Sequence, residues 1–145
     1  MSVLPKKAVG MLLIALMLGA LQPLAAGEIV ISWSNREIKL APKPDRERPP
    51  VITTIAIQPG GAMLAIAGDD HWVRLHDAHT GEVIRVLTDH VDWVRSVAFS
   101  PDGHTLATAG NDRRILLWSV ETGDLRRVLT THKHAITNVA FSHDG

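Results

Sequence analysis

Cysteine is absent from the 145 residues, which excludes disulfides, thiolate nucleophiles and cysteine-based zinc sites. An excess of charge of one sign is missing too, because lysine plus arginine and aspartate plus glutamate each number 15. No net field then favours nucleic acid or an anionic membrane surface, and neutral or protein partners become the expected class. Long apolar runs are also lacking. The longest, Ala8 to Leu21, is about 14 residues, against the roughly 20 that an α-helix needs to cross hydrocarbon.

That run is informative in its place. Lys6 and Lys7 precede it, and Pro23 and the small residues Ala25, Ala26 and Gly27 follow. A basic start, a short apolar core and small residues behind it have the pattern of an export signal. Residues 1–27 are therefore expected to form a signal-peptide helix, removed after Ala26 or Gly27, with the mature protein periplasmic or extracellular and not stably inserted in the membrane. A retained anchor is the weaker reading. Residues 28–50 follow as an N-terminal hairpin, with Glu28–Trp33 and Glu37–Leu40 around Ser34-Asn35-Arg36, and a linker carrying Pro42, Pro44, Pro49 and Pro50.

The remainder repeats itself. Ala56-Ile57-Gln58-Pro59-Gly60-Gly61, Ala98-Phe99-Ser100-Pro101-Asp102-Gly103 and Ala140-Phe141-Ser142-His143-Asp144-Gly145 recur at a constant offset, from 56 to 98 to 140. Gly68 matches Gly110, Asp70 matches Asp112, Gly81 matches Gly123, and His90 matches His132 at the same step. Turn formers within each period fall about every ten residues, near 59, 69, 80 and 90 and again near 101, 111, 122 and 132. Turns at that interval, with apolar stretches of about five or six residues between them, describe short antiparallel strands and leave no room for a typical helix. Strands are expected over 53–57, 63–67, 72–76 and 83–87, and then over 94–99, 105–109, 115–118 and 125–129.

Four strands per period, an Asp89-His90 landmark and a tryptophan in the third strand resemble the WD40 repeat family. The likeness covers residues 51–145: a degenerate repeat over 51–90, a full repeat over 91–132 and a truncated one over 133–145. It is carried best by Val94-Arg95-Ser96-Val97-Ala98-Phe99-Ser100-Pro101-Asp102-Gly103, Leu106-Ala107-Thr108-Ala109-Gly110, Asn111-Asp112 and Trp118-Ser119. The first repeat departs from the pattern. His76-Asp77 stands where Trp-Asp is usual, Arg48 stands at the histidine position and Ile66 at that of Thr108. The resemblance implies an all-β fold: a partial β-propeller of two four-stranded blades and the first strand of a third. Propellers close with about four to eight blades, so a fragment is expected, with further blades in the full-length chain or in another subunit.

The resemblance also implies a hydrogen-bonded set of His90, Thr108, Asp112 and Trp118. Threonine, histidine and aspartate could be mistaken for an acyl-transfer triad. A nucleophile must be exposed beside an oxyanion hole, however, and this threonine falls inside a central strand next to an indole, so the set is read as structural. Eight histidines raise the question of a metal. His71, His76 and His79 cluster in sequence and His132 and His134 stand two apart, yet no carboxylate or third histidine falls beside the latter pair at a ligand spacing, and the histidines are read as solvated loop residues with no metal. No cofactor is expected. A redox cofactor in a propeller channel would need converging polar groups, whereas the strand positions are mostly Ala, Val, Ile and Leu.

Recognition then becomes the expected function, by loops. Asp92, Trp93 and Arg95 lie between His90 and the next strand, where the family commonly presents its partner-binding rim, and tryptophan and arginine often dominate interface energies. Packing of Trp93 against a neighbouring blade is the competing reading. The expected function is a non-catalytic scaffold binding a protein or peptide, not nucleic acid, in an exported bacterial protein. The alternative is the regulatory propeller portion of a larger exported enzyme.

Overall fold

The computed structural model describes residues 21–23, 29–33, 36–40, 48–130 and 132–145. The chain divides at Pro49 and Pro50 into two units, within the proline-bearing stretch. In the first unit, β1 (Leu21–Pro23), β2 (Ile29–Trp33) and β3 (Arg36–Leu40) form an antiparallel sheet in that order. Register runs from Ile29↔Leu40 to Trp33↔Arg36 across the second pair. The expected signal-peptide helix lies outside the described residues except at Leu21–Pro23, which form a strand paired with β2 and so do not continue a helix.

The second unit is all β. Its first sheet holds β4 (Ile52–Ile57), β5 (Met63–Gly68), β6 (Val73–Asp77) and β7 (Val83–Leu87), each antiparallel to the next. Its second sheet repeats the plan with β8 (Val94–Phe99), β9 (Thr105–Gly110), β10 (Ile115–Ser119) and β11 (Leu125–Leu129). Every boundary lies within one residue of the sequence expectation. Short runs of β-branched and leucine residues form the strands, and polar turns with glycine separate them.

Side-chain alternation gives each sheet two faces. Ala65, Ala67, Val73, Leu75 and Leu87 of the first sheet share one buried cluster with Val94, Val97, Leu106, Leu116, Trp118 and Val120 of the second. The two sheets thus stack through this cluster. Polar clasps join them outside the cluster. Gln58 Nε2 donates to the Gly103 carbonyl at 2.9 Å, Thr53 Oγ1 to the Val94 carbonyl, and Arg85 Nη2 to the Glu121 carbonyl.

Gly68 and Gly110, at matching places, are required by close approach. A Cβ on Gly110 would lie 2.1 Å from the Trp93 carbonyl oxygen, and one on Gly68 would lie 2.3 Å from that of Val51. In both sheets the register shifts here, between Val94 and Ser96 and between Ile52 and Thr54. The irregularity brings the incoming backbone over the glycine, where Asn111 N–H and Asp69 N–H bond those same carbonyls.

One expectation needs correction. The first strand of a third blade, expected within the truncated repeat over 133–145, is not formed: residues 132–145 contain no strand, and residues 136–141 run as irregular chain. They are anchored to the second sheet by Ile136 N–H to the Gly110 carbonyl at 3.0 Å and Val139 N–H to Ser96 Oγ at 3.1 Å. A strand exists only as part of a ladder, and among the described residues no neighbouring strand runs along this segment's far side to complete one.

Candidate functional site

Thr108 lies in β9 opposite Leu116, and Trp118 in β10 lies opposite Leu106. Both therefore project from one face as diagonal neighbours, a spacing that an aromatic side chain can bridge. The indole Nε1–H donates to Thr108 Oγ1 at 2.9 Å. An indole nitrogen can only donate, so the direction of the chain is fixed from this end. The threonine hydroxyl passes its own hydrogen to His90 Nε2 at 2.7 Å, and His90 Nδ1–H gives to Asp112 Oδ2, also at 2.7 Å. Asp112 sits in the β9–β10 turn, where Oδ1 also accepts the Arg114 N–H at 3.2 Å.

This tetrad is sealed. Thr108 is 0% exposed, Trp118 2% and His90 4%. Burial pushes the His90 imidazole below its ordinary range, against the opposing pull of the Asp112 carboxylate, while Arg114 lowers it further and Asp89 raises it. A neutral imidazole is what the hydrogen-bond directions require. The hydroxyl that would act as nucleophile in a triad is buried and already accepts the indole proton, so no substrate carbonyl can approach it.

The first sheet fills the matching positions differently. Asp70 occupies the place of Asp112 and holds Arg74 Nη2 at 2.6 Å in a buried ion pair. The Arg74 guanidinium lies 5.1 Å from the Trp72 ring centroid. His76, in the place of Trp118, turns Nδ1 to the Gly81 carbonyl at 3.0 Å, and burial pushes its imidazole down, opposed by the Gly81 bond and aided by Arg74. The sequence shows the missing threonine and tryptophan, but the Arg74–Asp70 pair escaped notice. An arginine alternating with apolar residues in a strand was its available signal.

The other sequence candidates separate. Trp93 is 43% exposed and Arg95 is exposed, while Asp92 is half-buried. Arg95 lies 6.0 Å from the Trp93 ring centroid and its Nε donates to Asn111 Oδ1 at 2.5 Å. Asp92 Oδ1 accepts the Trp93 N–H at 2.7 Å. Val91, 71% exposed, and Arg113, exposed with φ of 64°, join this rim without having been singled out in the sequence. His71 lies in the β5–β6 turn, His76 inside β6 and His79 beyond it, and His132 and His134 are exposed. Among the described residues no three histidines or carboxylates gather in a way that could hold a metal ion.

Residues 81–119 match the family model described as "WD domain, G-beta repeat". That stretch is similar to a single WD40 repeat. The matched span takes in β7 and then β8, β9 and β10, so the repeat begins with the outer strand of one sheet and ends with the third strand of the next. A span laid out this way ties the two sheets together covalently. Among solved structures, "Structure of U3-55K" is 21% identical with a TM-score of 0.63, covering 83% of this chain and 34% of that one. "Crystal structure of RRP9 WD40 repeats" is 21% identical with a TM-score of 0.63, covering 84% and 34%. The β-propeller domain of Cps50 (Swd1) from "Myceliophteria thermophila" is 23% identical with a TM-score of 0.61, covering 66% and 31%. These likenesses show the fold: the two four-stranded sheets are built as β-propeller blades. The chain spans about a third of the length of each of these structures. No curated protein matches the chain.

Proposed function

We propose that the chain is the WD40 part of an exported, non-catalytic scaffold that binds a protein or peptide through the rim around Trp93. WD40 domains commonly serve as protein-interaction platforms, and the repeat over 81–119 supports that reading here. The observation that carries it is a contrast in exposure. The hydrogen-bonded set of Thr108, His90 and Asp112, which has the composition of a catalytic triad, is buried, with Thr108 at 0%, whereas Trp93 stands 43% exposed beside an arginine. A half-exposed indole held next to a guanidinium offers contact area with little side-chain entropy left to lose. Export rests on the sequence of residues 1–27. Two blades cannot close a ring, so on this reading the propeller is shared with further blades, whether in sequence beyond these residues or in another subunit.

The test compares the full chain with Trp93→Ala. The variant is expected to melt within about 2 °C of the parent, as a surface change should, and to retain at least tenfold less of a protein partner captured from the periplasmic or extracellular fraction. A large fall in melting temperature with unchanged retention would make Trp93 a packing residue and remove the basis of the proposal. N-terminal sequencing of the exported protein tests cleavage after Ala26 or Gly27.

A further inference from the structure

Although the chain is neutral overall, its charges are sorted along the sheets. The β7–β8 connection (88–93), the β9–β10 turn (111–114) and the segment before Ile136 meet at one end. Asn111 N–H bonds the Trp93 carbonyl at 2.9 Å, Ile136 N–H bonds the Gly110 carbonyl at 3.0 Å, and Arg114 Nη1 bonds the Asp89 carbonyl at 2.9 Å. Arg95, Arg113 and Lys133 are exposed at this rim and Arg114 is half-buried. Asp89 and Asp92 are the carboxylates among them, since Asp112 is sealed under His90 with a side chain 1% exposed. The opposite ends of the same strands carry Asp77, Glu82, Asp102, Glu121 and Asp124. The cations there are occupied: Arg85 bonds the Glu121 carbonyl and Arg126 bonds Ser119 Oγ at 3.1 Å.

The basic rim is also the apolar one, with Val91 71% and Trp93 43% exposed. We propose that it docks an acidic segment of a protein partner, an extended stretch whose carboxylates meet Arg95 and Arg113 on either side of an apolar side chain seated on Val91 and Trp93. The inference rests on the protein-binding reading above and names the partner's chemistry. Arg95 is pre-positioned by Asn111 at 2.5 Å and by the indole, so a carboxylate gains a guanidinium whose freedom is already reduced.

Two other polyanionic occupants fit less well. A nucleic acid requires a continuous track of cations for evenly spaced phosphates, and Asp89 and Asp92 interrupt this one. Of the five carboxylates at the acidic end of a second copy, two are already satisfied by their own turns. Asp77 Oδ1 accepts the N–H groups of His79 at 2.6 Å and Thr80 at 2.8 Å, and Asp102 Oδ1 accepts Ser100 Oγ at 2.5 Å and the His104 N–H at 2.9 Å. Those two gain little from an intermolecular arginine, and self-association by sedimentation tests the rest of that end.

Fluorescence anisotropy with the full chain tests the proposal. The probes are a labelled peptide of about ten residues with glutamates around a central leucine, its glutamine and lysine analogues, and a single-stranded oligonucleotide of similar length. The glutamate peptide is expected to bind about tenfold tighter than the glutamine analogue and to weaken as salt rises. Arg95→Glu with Arg113→Glu is expected to cost it about tenfold or more while the melting temperature stays unchanged. Equal binding of the glutamate and glutamine peptides, indifference to the double charge reversal, or tighter binding of the oligonucleotide would each overturn the acidic assignment. So would concentration-dependent self-association by sedimentation that the double reversal abolishes. If the glutamate and glutamine peptides bind equally and Trp93→Ala abolishes both, the rim remains a docking surface and only the partner's chemistry is wrong.

Discussion

Asp112→Ala is the sharpest probe of what the tetrad contributes. The carboxylate accepts His90 Nδ1–H at 2.7 Å and the Arg114 N–H at 3.2 Å, with a side chain 1% exposed. Alanine leaves the imidazole donor buried without an acceptor. A hydrogen bond to a charged group contributes about 1.5–3 kcal/mol, and an abandoned buried donor costs a similar amount. The imidazole cannot escape by moving its proton to Nε2. Thr108 Oγ1 would then have to accept from both His90 and Trp118, leaving its own hydrogen without a buried acceptor. Relief from burying one charge fewer offsets part of the loss, so about 2 kcal/mol is expected. For a unit of this size each kcal/mol moves the melting temperature by about 4–8 °C, which places the fall near 10 °C by near-UV circular dichroism of the tryptophans. Asp112→Asn retains an acceptor oxygen and should lose less than half as much. An alanine variant that melts with the parent, or an asparagine variant as damaged as the alanine one, would refute this account.

Gly110→Ala is expected to cost roughly 3 kcal/mol, because its Cβ would lie 2.1 Å from the Trp93 carbonyl oxygen and backbone must move. Gly60→Ala, at φ of 90° with nothing within 4 Å, should cost only about 1 kcal/mol, and thermal melts of the pair separate clash from conformational strain. Acid should destabilise the fold through two histidines. Burial holds His76 and His90 below the ordinary imidazole value of 6.5, so above that pH both are neutral in the folded and unfolded chains and their contribution is complete. As pH falls below it the unfolded chain takes up protons that the folded chain refuses, and stability drops by at most about 1.4 kcal/mol per pH unit for each histidine. Melting temperatures between pH 7 and 5 should trace this decline, and His76→Leu should make it shallower. A flat profile would contradict neutral burial of both rings.

Strand positions were legible because turn chemistry recurs: Asp102-Gly103 and Thr122-Gly123 fix where chains reverse, and apolar runs fill what lies between. That His90, Thr108, Asp112 and Trp118 could satisfy one another followed from donor and acceptor counts once the repeat was recognised. Other features depend on neighbours that sequence spacing does not reveal. Residues 136–141 have the composition of a strand, but composition cannot supply the pairing that makes one. Arg113 adopts φ of 64°, which nothing in Asn111-Asp112-Arg113-Arg114 announces, and it thereby joins the rim beside Trp93. The Arg95–Asn111 bond spans 16 residues and exists only because β8 and β9 pair.

The two blades solve one problem in different ways, and the difference explains how they depend on each other. In each, an aspartate in the turn after the second strand needs a buried donor. The second blade supplies a neutral imidazole and buries a single charge, with every polar atom of the chain of bonds satisfied. The first supplies Arg74 and buries two charges, whose desolvation the 2.6 Å contact must offset. It also leaves Arg74 Nη1 and His76 Nε2 buried without a hydrogen-bond partner, each costing about 1–3 kcal/mol. The first blade is thus the poorer in polar terms and must recover stability from packing. Its Ala65, Ala67, Val73 and Leu75 do so in the cluster that contains Leu106, Leu116 and Trp118. Because Thr108 fixes the orientation of that indole, the tetrad of one blade shapes the surface on which its neighbour rests, and its loss is felt by both.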